Sequence, residues 1–174
     1  MAIIKPTGYF KLAGTGSDWT WPDAAYDNNY SNYVKTSGAQ YFYKFAVTEA
    51  QAKRLNAHIY WWSQPSRIPE CTYSIGYGNE TGSTIVKSVL FTPAAKDFIV
   101  PFSLSASEYN TLAAHASELL IGIRQTESSM KFLAEIDIEA PDASQIYVGG
   151  RQAGAVYAGD VKASAVYIGD ERIL

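Results

Sequence analysis

From Gln40 to Val47 the chain sets Tyr41, Tyr43, Phe45 and Val47 on alternate positions, the period of two expected of a strand with one buried face. Runs of similar β-prone composition follow one another along the sequence: GYFKLAG from Gly8, AHIYWW from Ala57, CTYSIGYG from Cys71 and STIVKSVLF from Ser83. KDFIVPFSL from Lys96, ELLIGIRQ from Glu118 and MKFLAEIDIEA from Met130 complete the set. GNETG, from Gly78, separates two of them as a turn, and turn signals elsewhere come every ten to fifteen residues. This pattern predicts an all-β chain, a β-sandwich of jelly-roll type. Trp61 and Trp62, adjacent on a strand, must point to opposite faces, so one enters the core and the other is free to join whatever the surface binds.

Two stretches break the period. FAVTEAQAKRLNAH, from Phe45 to His58, aligns without a gap on FSLSASEYNTLAAH, from Phe102 to His115. Thr48 with Gln51, and Ser105 with Glu108, fit a capping box, in which each side chain satisfies the other residue's free backbone N–H at a helix start. Each unit therefore reads strand, capped helical turn, strand, with helix near Glu49–Leu55 and Ser107–Ala113. Two equivalent crossings of a sandwich would produce this echo, and so would chance convergence. His58 and His115 take matching places; packed or capping imidazoles are favoured over a metal pair, because no Asp or Glu spacing supports ligation.

The chain ends in IYVGGRQAGAVYAGDVKASAVYIGDERIL, a phrase repeated at a spacing of ten. Tyr147, Tyr157 and Tyr167 fall in register, as do Gly149, Gly159 and Gly169, followed by Gly150, Asp160 and Asp170. Gly-Asp between short β-prone runs is a two-residue hairpin signal, so the segment is expected to form a meander of about six very short strands. So small a sheet needs something to pack against, and copies of the same chain or another protein fit that need. The expected organisation is a sandwich over residues 1–140, a linker at 141–145 and a hairpin assembly segment at 146–174, with the repeated Tyr, Gly and Asp positions as assembly residues.

This VY-x-GD tail resembles those of bacteriophage virion proteins, especially tail, baseplate and fibre-associated components; the first copy departs by carrying Gly150 where Asp stands in the others. The front domain is similar to β-sandwich modules of phage adhesion and carbohydrate-binding proteins. The resemblance implies a non-enzymatic structural or host-attachment part of a virus particle, made in the bacterial cytoplasm and used in several copies. Its implied partners are itself, with a trimer favoured, other virion proteins and a host surface glycan.

Charge and composition narrow the chemistry. A formal net charge of -3 provides no basic field for nucleic acid. The single cysteine, Cys71, excludes an internal disulfide framework. MAIIKPTGYF has neither the form of a signal peptide nor the length of a membrane span. No nucleophile elbow, HExxH, P-loop or Rossmann pattern occurs, so no catalytic residue, cofactor or metal is expected. Asp18, Asp23 and Asp27 are the candidates for a pair of catalytic carboxylates, and nothing fixes their separation.

One segment stands out. SDWTWPDAAYDNNYSNYV, from Ser17, sets aromatic rings among acids and amides. Sugars stack their C–H faces on such rings while carboxylate and amide groups bond the hydroxyls. The sugar reading assigns Trp19, Trp21, Asp23, Tyr26, Asp27, Asn29 and Tyr30 to the site, with Trp19 and Trp21 as an exposed platform. A calcium site and a Tyr-rich loop that merely packs on the sandwich or a neighbour are the alternatives.

Overall fold

A computed structural model describes residues 2–13, 19–36, 38–53, 55–62, 68, 70–125 and 131–140, and the short segments 146–148, 151–153, 157–158, 161–162, 167–168 and 171–172. Two antiparallel sheets of five strands face each other. The first contains β1 (Ala2–Ile4), β3 (Val34–Thr36), β5 (Asn56–Trp61), β8 (Asp97–Ile99) and β10 (Lys131–Ala140). β1 and β3 share one edge of β10, at opposite ends of that strand, and β5 then β8 continue from its other edge. The second runs β2 (Gly8–Lys11), β4 (Gln40–Phe45), β9 (Leu119–Gln125), β6 (Cys71–Asn79), β7 (Gly82–Phe91). The chain is an all-β sandwich.

Alternation builds the core. Tyr41, Tyr43 and Phe45 from β4, Tyr73 and Ile75 from β6, and Ile121 and Ile123 from β9 meet Ile59, Trp61, Leu133, Ile136 and Ile138 of the first sheet. Trp61 is fully buried and its indole N–H donates to the Tyr73 hydroxyl at 3.3 Å, so the largest core ring also has its polar atom satisfied. Trp62, next along the chain, is 48% exposed. Phe42 departs from the simple alternation. It is fully buried on the other face of β4, opposite Gly122, where any Cβ would overlap the Phe42 ring.

The two capped turns are present as α1 (Glu49–Ala52) and α2 (Ala106–Ala114), and both capping boxes close. Thr48 accepts from the Gln51 N–H at 3.2 Å and its own N–H donates to Gln51 at 2.8 Å. Ser105 and Glu108 repeat the exchange at 3.3 and 2.7 Å. α1 carries the chain from the second sheet to the first, α2 carries it back, and the two pack on each other at one end of the sandwich. The internal echo is a pair of matched crossings. The KDFIVPFSL strand stops at Ile99 rather than running to Leu104, because Pro101 and the left-handed backbone of Ser103 (φ 48°) end the extended geometry.

β1, β3 and a 3₁₀ helix at Pro22–Tyr26 were not expected from the pattern, since each is too short to show a period. In the tail, β11 (Ile146–Val148) pairs β12 (Arg151–Ala153), β13 (Tyr157–Ala158) pairs β14 (Val161–Lys162), and β15 (Tyr167–Ile168) pairs β16 (Glu171–Arg172). Partners such as Ala158 and Val161 leave two residues between them, the expected hairpin register. Among the described residues these form three separate two-stranded sheets rather than one meander. Tyr147, Tyr157 and Tyr167 lie in the strands; Gly149, Gly159, Asp160, Gly169 and Asp170, and the linker at 141–145, lie outside the described residues.

Candidate functional site

The segment from Trp19 to Tyr33 packs its 3₁₀ helix along β10, on the edge that β1 and β3 share, and against β3 and β2. Its entry is clamped: Thr20 and Lys35 exchange two backbone hydrogen bonds, each 3.1 Å, joining the segment to β3. Trp19 turns inward. It is 5% exposed, stacks on Tyr41 at 4.6 Å and 18°, and its backbone N–H donates to the Tyr41 hydroxyl at 3.1 Å. Residues two apart on an extended strand face the same way, so Trp21 would follow Trp19 into the core. It does not, because its backbone is left-handed (φ 55°, ψ 53°). A bulky residue at positive φ is strained, and the consequence here is an indole turned out to solvent, 58% exposed. Pro22 then starts the 3₁₀ helix with its φ already set. Tyr43 reaches from the core to donate to the Pro22 carbonyl at 3.1 Å, pinning the helix from below; burial raises the Tyr43 phenol well above its ordinary range.

After the helix, side chains brace the backbone. Asp27 accepts the Asn29 N–H at 2.8 Å and the Asn32 amide at 2.7 Å, and Asn29 accepts the Ser31 N–H at 3.1 Å. The two bonds from backbone N–H groups are Asx-turn contacts, and Asn28 holds the left-handed conformation (φ 61°) that Asn tolerates. The result is an open cleft of about 450 Å³ lined by Trp21, Asp23, Ala24, Asp27, Ser31, Asn32 and Tyr33. The Lys35 ammonium sits over the Trp21 ring, 5.0 Å from its centroid.

Of the residues assigned to a sugar site, Trp21, Asp23 and Asp27 come together in this cleft. Trp19 is corrected: it is a core residue, not half of an exposed platform. Tyr26 packs against Tyr43 and Tyr9. Asn29 is a brace, and Tyr30 stands edge-on to Tyr60 at 5.0 Å and 88°; neither lines the cleft. Ser31, Asn32 and Tyr33 line it and were not selected, although they belong to the same aromatic-and-amide segment. Tyr33 also leads outward, meeting Phe132 at 4.8 Å and Trp62 at 5.1 Å.

The neighbouring outer face of the first sheet carries charge. Lys5 bridges Glu135 (2.7 Å) and Asp137 (3.4 Å), both fully or almost fully buried. His58 lies between Asp137 and Asp97, with Nδ1 3.0 Å from the first and Nε2 2.5 Å from the second. Those two hydrogen bonds outweigh the ring's partial burial, and push its pKa up to about 9. The imidazolium, donating from both nitrogens, is the form present at neutral pH. Burial raises the Glu135 carboxyl, against the opposing pull of Lys5, and among the described residues its Oε1 accepts no hydrogen bond. His115, by contrast, lies flat on Tyr77 at 3.7 Å. The two imidazoles are packed or paired individually, and among the described residues no three His, Cys, Asp or Glu side chains are arranged to hold a metal ion. No helix among the described residues is long and apolar enough to cross a membrane.

No protein-family model matches the chain, and no curated protein matches it. Among solved structures, CBM32 of AlyQ in complex with 4,5-unsaturated mannuronic acid is similar at a TM-score of 0.48 and 13% identity, over 80% of this chain and 98% of that one. Truncated AlyQ with CBM32 and alginate lyase domains is similar at 0.49 and 11%, over 84% of this chain and 35% of that one. The chain thus spans about a third of the second structure.

Proposed function

We propose that this chain is a non-enzymatic glycan-binding module, with the cleft between Trp21 and Tyr33 as its binding site. One observation carries the reading: a left-handed backbone turns the Trp21 ring out of the core and beside Asp23, Asp27, Ser31 and Asn32 in a single open cleft. The ring offers a flat apolar surface, the carboxylates accept hydroxyl protons and the Asn amide can donate. The Asx turns hold the loop in place before any ligand arrives, which lowers the ordering cost of binding. Trp21→Ala is expected to weaken glycan binding by about 1–3 kcal/mol, the effect of truncating an aromatic anchor. Isothermal titration and tryptophan fluorescence against bacterial surface glycans measure it; parent protein that gives no response to any of them overturns the reading.

The tail supports a second role. Its ten-residue repeat, folded as three strand pairs, suits a segment that joins copies of the chain, with a trimer favoured, and other proteins of a bacteriophage virion, the sandwich then presenting its cleft to the host. Cutting after Pro141 should leave a folded sandwich of lower oligomeric order. Full-length chain that is monomeric at micromolar concentration overturns self-assembly.

A further inference from the structure

Trp62 follows the last residue of β5, and its backbone N–H donates to the Phe132 carbonyl at 2.9 Å. Its ring lies 5.1 Å from Tyr33 at 43° and 5.8 Å from Phe132 at 86°, while Tyr33 and Phe132 meet at 4.8 Å. Three mutually packed rings fix one another, yet Trp62 remains 48% exposed. A rigid, half-exposed indole contributes apolar contact area with little side-chain entropy to lose. Tyr33 belongs both to this triad and to the cleft wall, so the cleft and the triad are one continuous surface with an exposed indole at each end.

The charges along this surface select what can lie on it. Among the described residues the cleft lining contains two carboxylates, an amide and hydroxyls, and no cation. Lys35 is engaged with the Trp21 ring, and on the adjoining face Lys5 and His58 are already tied to carboxylates. A carboxylated or sulfated sugar would meet the like charge of Asp23 and Asp27 with the single Lys35 ammonium over the Trp21 ring to offset it, whereas neutral hydroxyls find acceptors in Asp23 and Asp27.

Building on the glycan-binding reading, we infer that the cleft is one end of a longer track that takes an uncharged glycan chain of at least two units, with Trp62 as its second platform. The ligand stacks on Trp21, passes Tyr33 and reaches Trp62. Chain length and absence of charge are therefore the specificity of the site.

Titration calorimetry with cello-, manno- and chito-oligosaccharides from monosaccharide to tetrasaccharide, and with oligomannuronates of the same lengths, tests this on full-length parent, Trp62→Ala and Trp62→Phe. For at least one neutral series, affinity should rise roughly tenfold from monosaccharide to longer chains, the loss or gain attached to one well-placed aromatic. Trp62→Ala should remove most of that rise, costing the longer chains more affinity than the monosaccharide; Trp62→Phe should retain most of it. Mannuronates should bind more weakly at every length. Equal affinity at all lengths overturns the inference but leaves the glycan reading standing, as does a Trp62→Ala loss shared equally by all lengths. Preference for mannuronates overturns the charge selection. Absence of binding across every neutral series overturns both the track and the reading beneath it.

Discussion

Two regions of the sandwich solve the same problem in opposite ways. In one, α1 and α2 carry the chain between sheets, and each satisfies its own first backbone N–H groups through Thr48–Gln51 or Ser105–Glu108. In the other, the chain from Trp19 to Tyr33 relies on groups far away in sequence: the Tyr41 hydroxyl and ring, Tyr43 beneath Pro22, and the backbone of Lys35. The capped region is locally satisfied and leaves no strained tryptophan. The cleft region accepts a left-handed Trp21 and leaves two indoles exposed on its surface. Strain tolerated at an exposed aromatic, on a support fixed from several directions, is the mark of an element held for a purpose other than stability.

The sharpest way to break this comparison is to remove the support. Trp19→Ala deletes a buried ring stacked on Tyr41 and should destabilise the fold by about 3–5 kcal/mol, read from urea denaturation. A loss below about 1 kcal/mol would mean that the cleft segment is not anchored through Trp19.

A smaller effect separates packing from charge. The folded-state pKa of His58, about 9, lies above its ordinary value of 6.5, so its stabilising contribution is complete below pH 6.5 and is lost as pH rises through about 9. The ring is partly open to solvent, so screening reduces the contribution to about 1–2 kcal/mol. Denaturation at pH 6.5 and above pH 9 should show that decline, and His58→Gln should flatten it. A profile equally steep in the variant assigns the decline to other groups.

The smallest effect is the most informative for the site. Trp21→Ala should change stability by no more than about 0.5 kcal/mol, because it removes a mostly exposed ring while the alanine keeps the same left-handed backbone and its strain. Set beside the Trp19→Ala loss, this near-neutrality would place the two tryptophans in different roles two residues apart.

The same contrast explains what could be read in advance. The capping boxes are encoded three residues apart, and the sequence pattern located both helices and the matched crossings. The alternation in β4, with the β-prone runs between turn signals elsewhere, likewise exposed the sandwich. The strands β1 and β3 escaped notice, since three residues carry no period and their identity comes from pairing with β10. In the loop, composition pointed to the right segment, but the assignment within it failed at Trp19. Alternation treats Trp19 and Trp21 as equivalent, and only the left-handed turn at Trp21, set by the tertiary clamp on either side, makes one buried and the other exposed. Tyr33 and Asn32 were equally hidden: their place on the cleft wall follows from the Asp27 brace and from Phe132, a strand distant in sequence.

The exchange of hydrogen bonds between Thr20 and Lys35 has a consequence for variation. It fixes the two ends of the intervening segment in the sandwich, and Pro22, Ala25 and Tyr26 hold the 3₁₀ helix on the sheets, so the freedom to vary lies in the exposed positions between these anchors. Closing a flexible loop of twice the length adds only about 0.6 kcal/mol. Residues such as Asp23, Ser31 and Asn32, exposed and away from the core, can therefore be exchanged or interleaved with new ones while the clamp and Trp19 stay in place. A lineage of such chains could change the ligand it recognises without redesigning its core, and a library built between Thr20 and Lys35 would reach the same diversity in the laboratory.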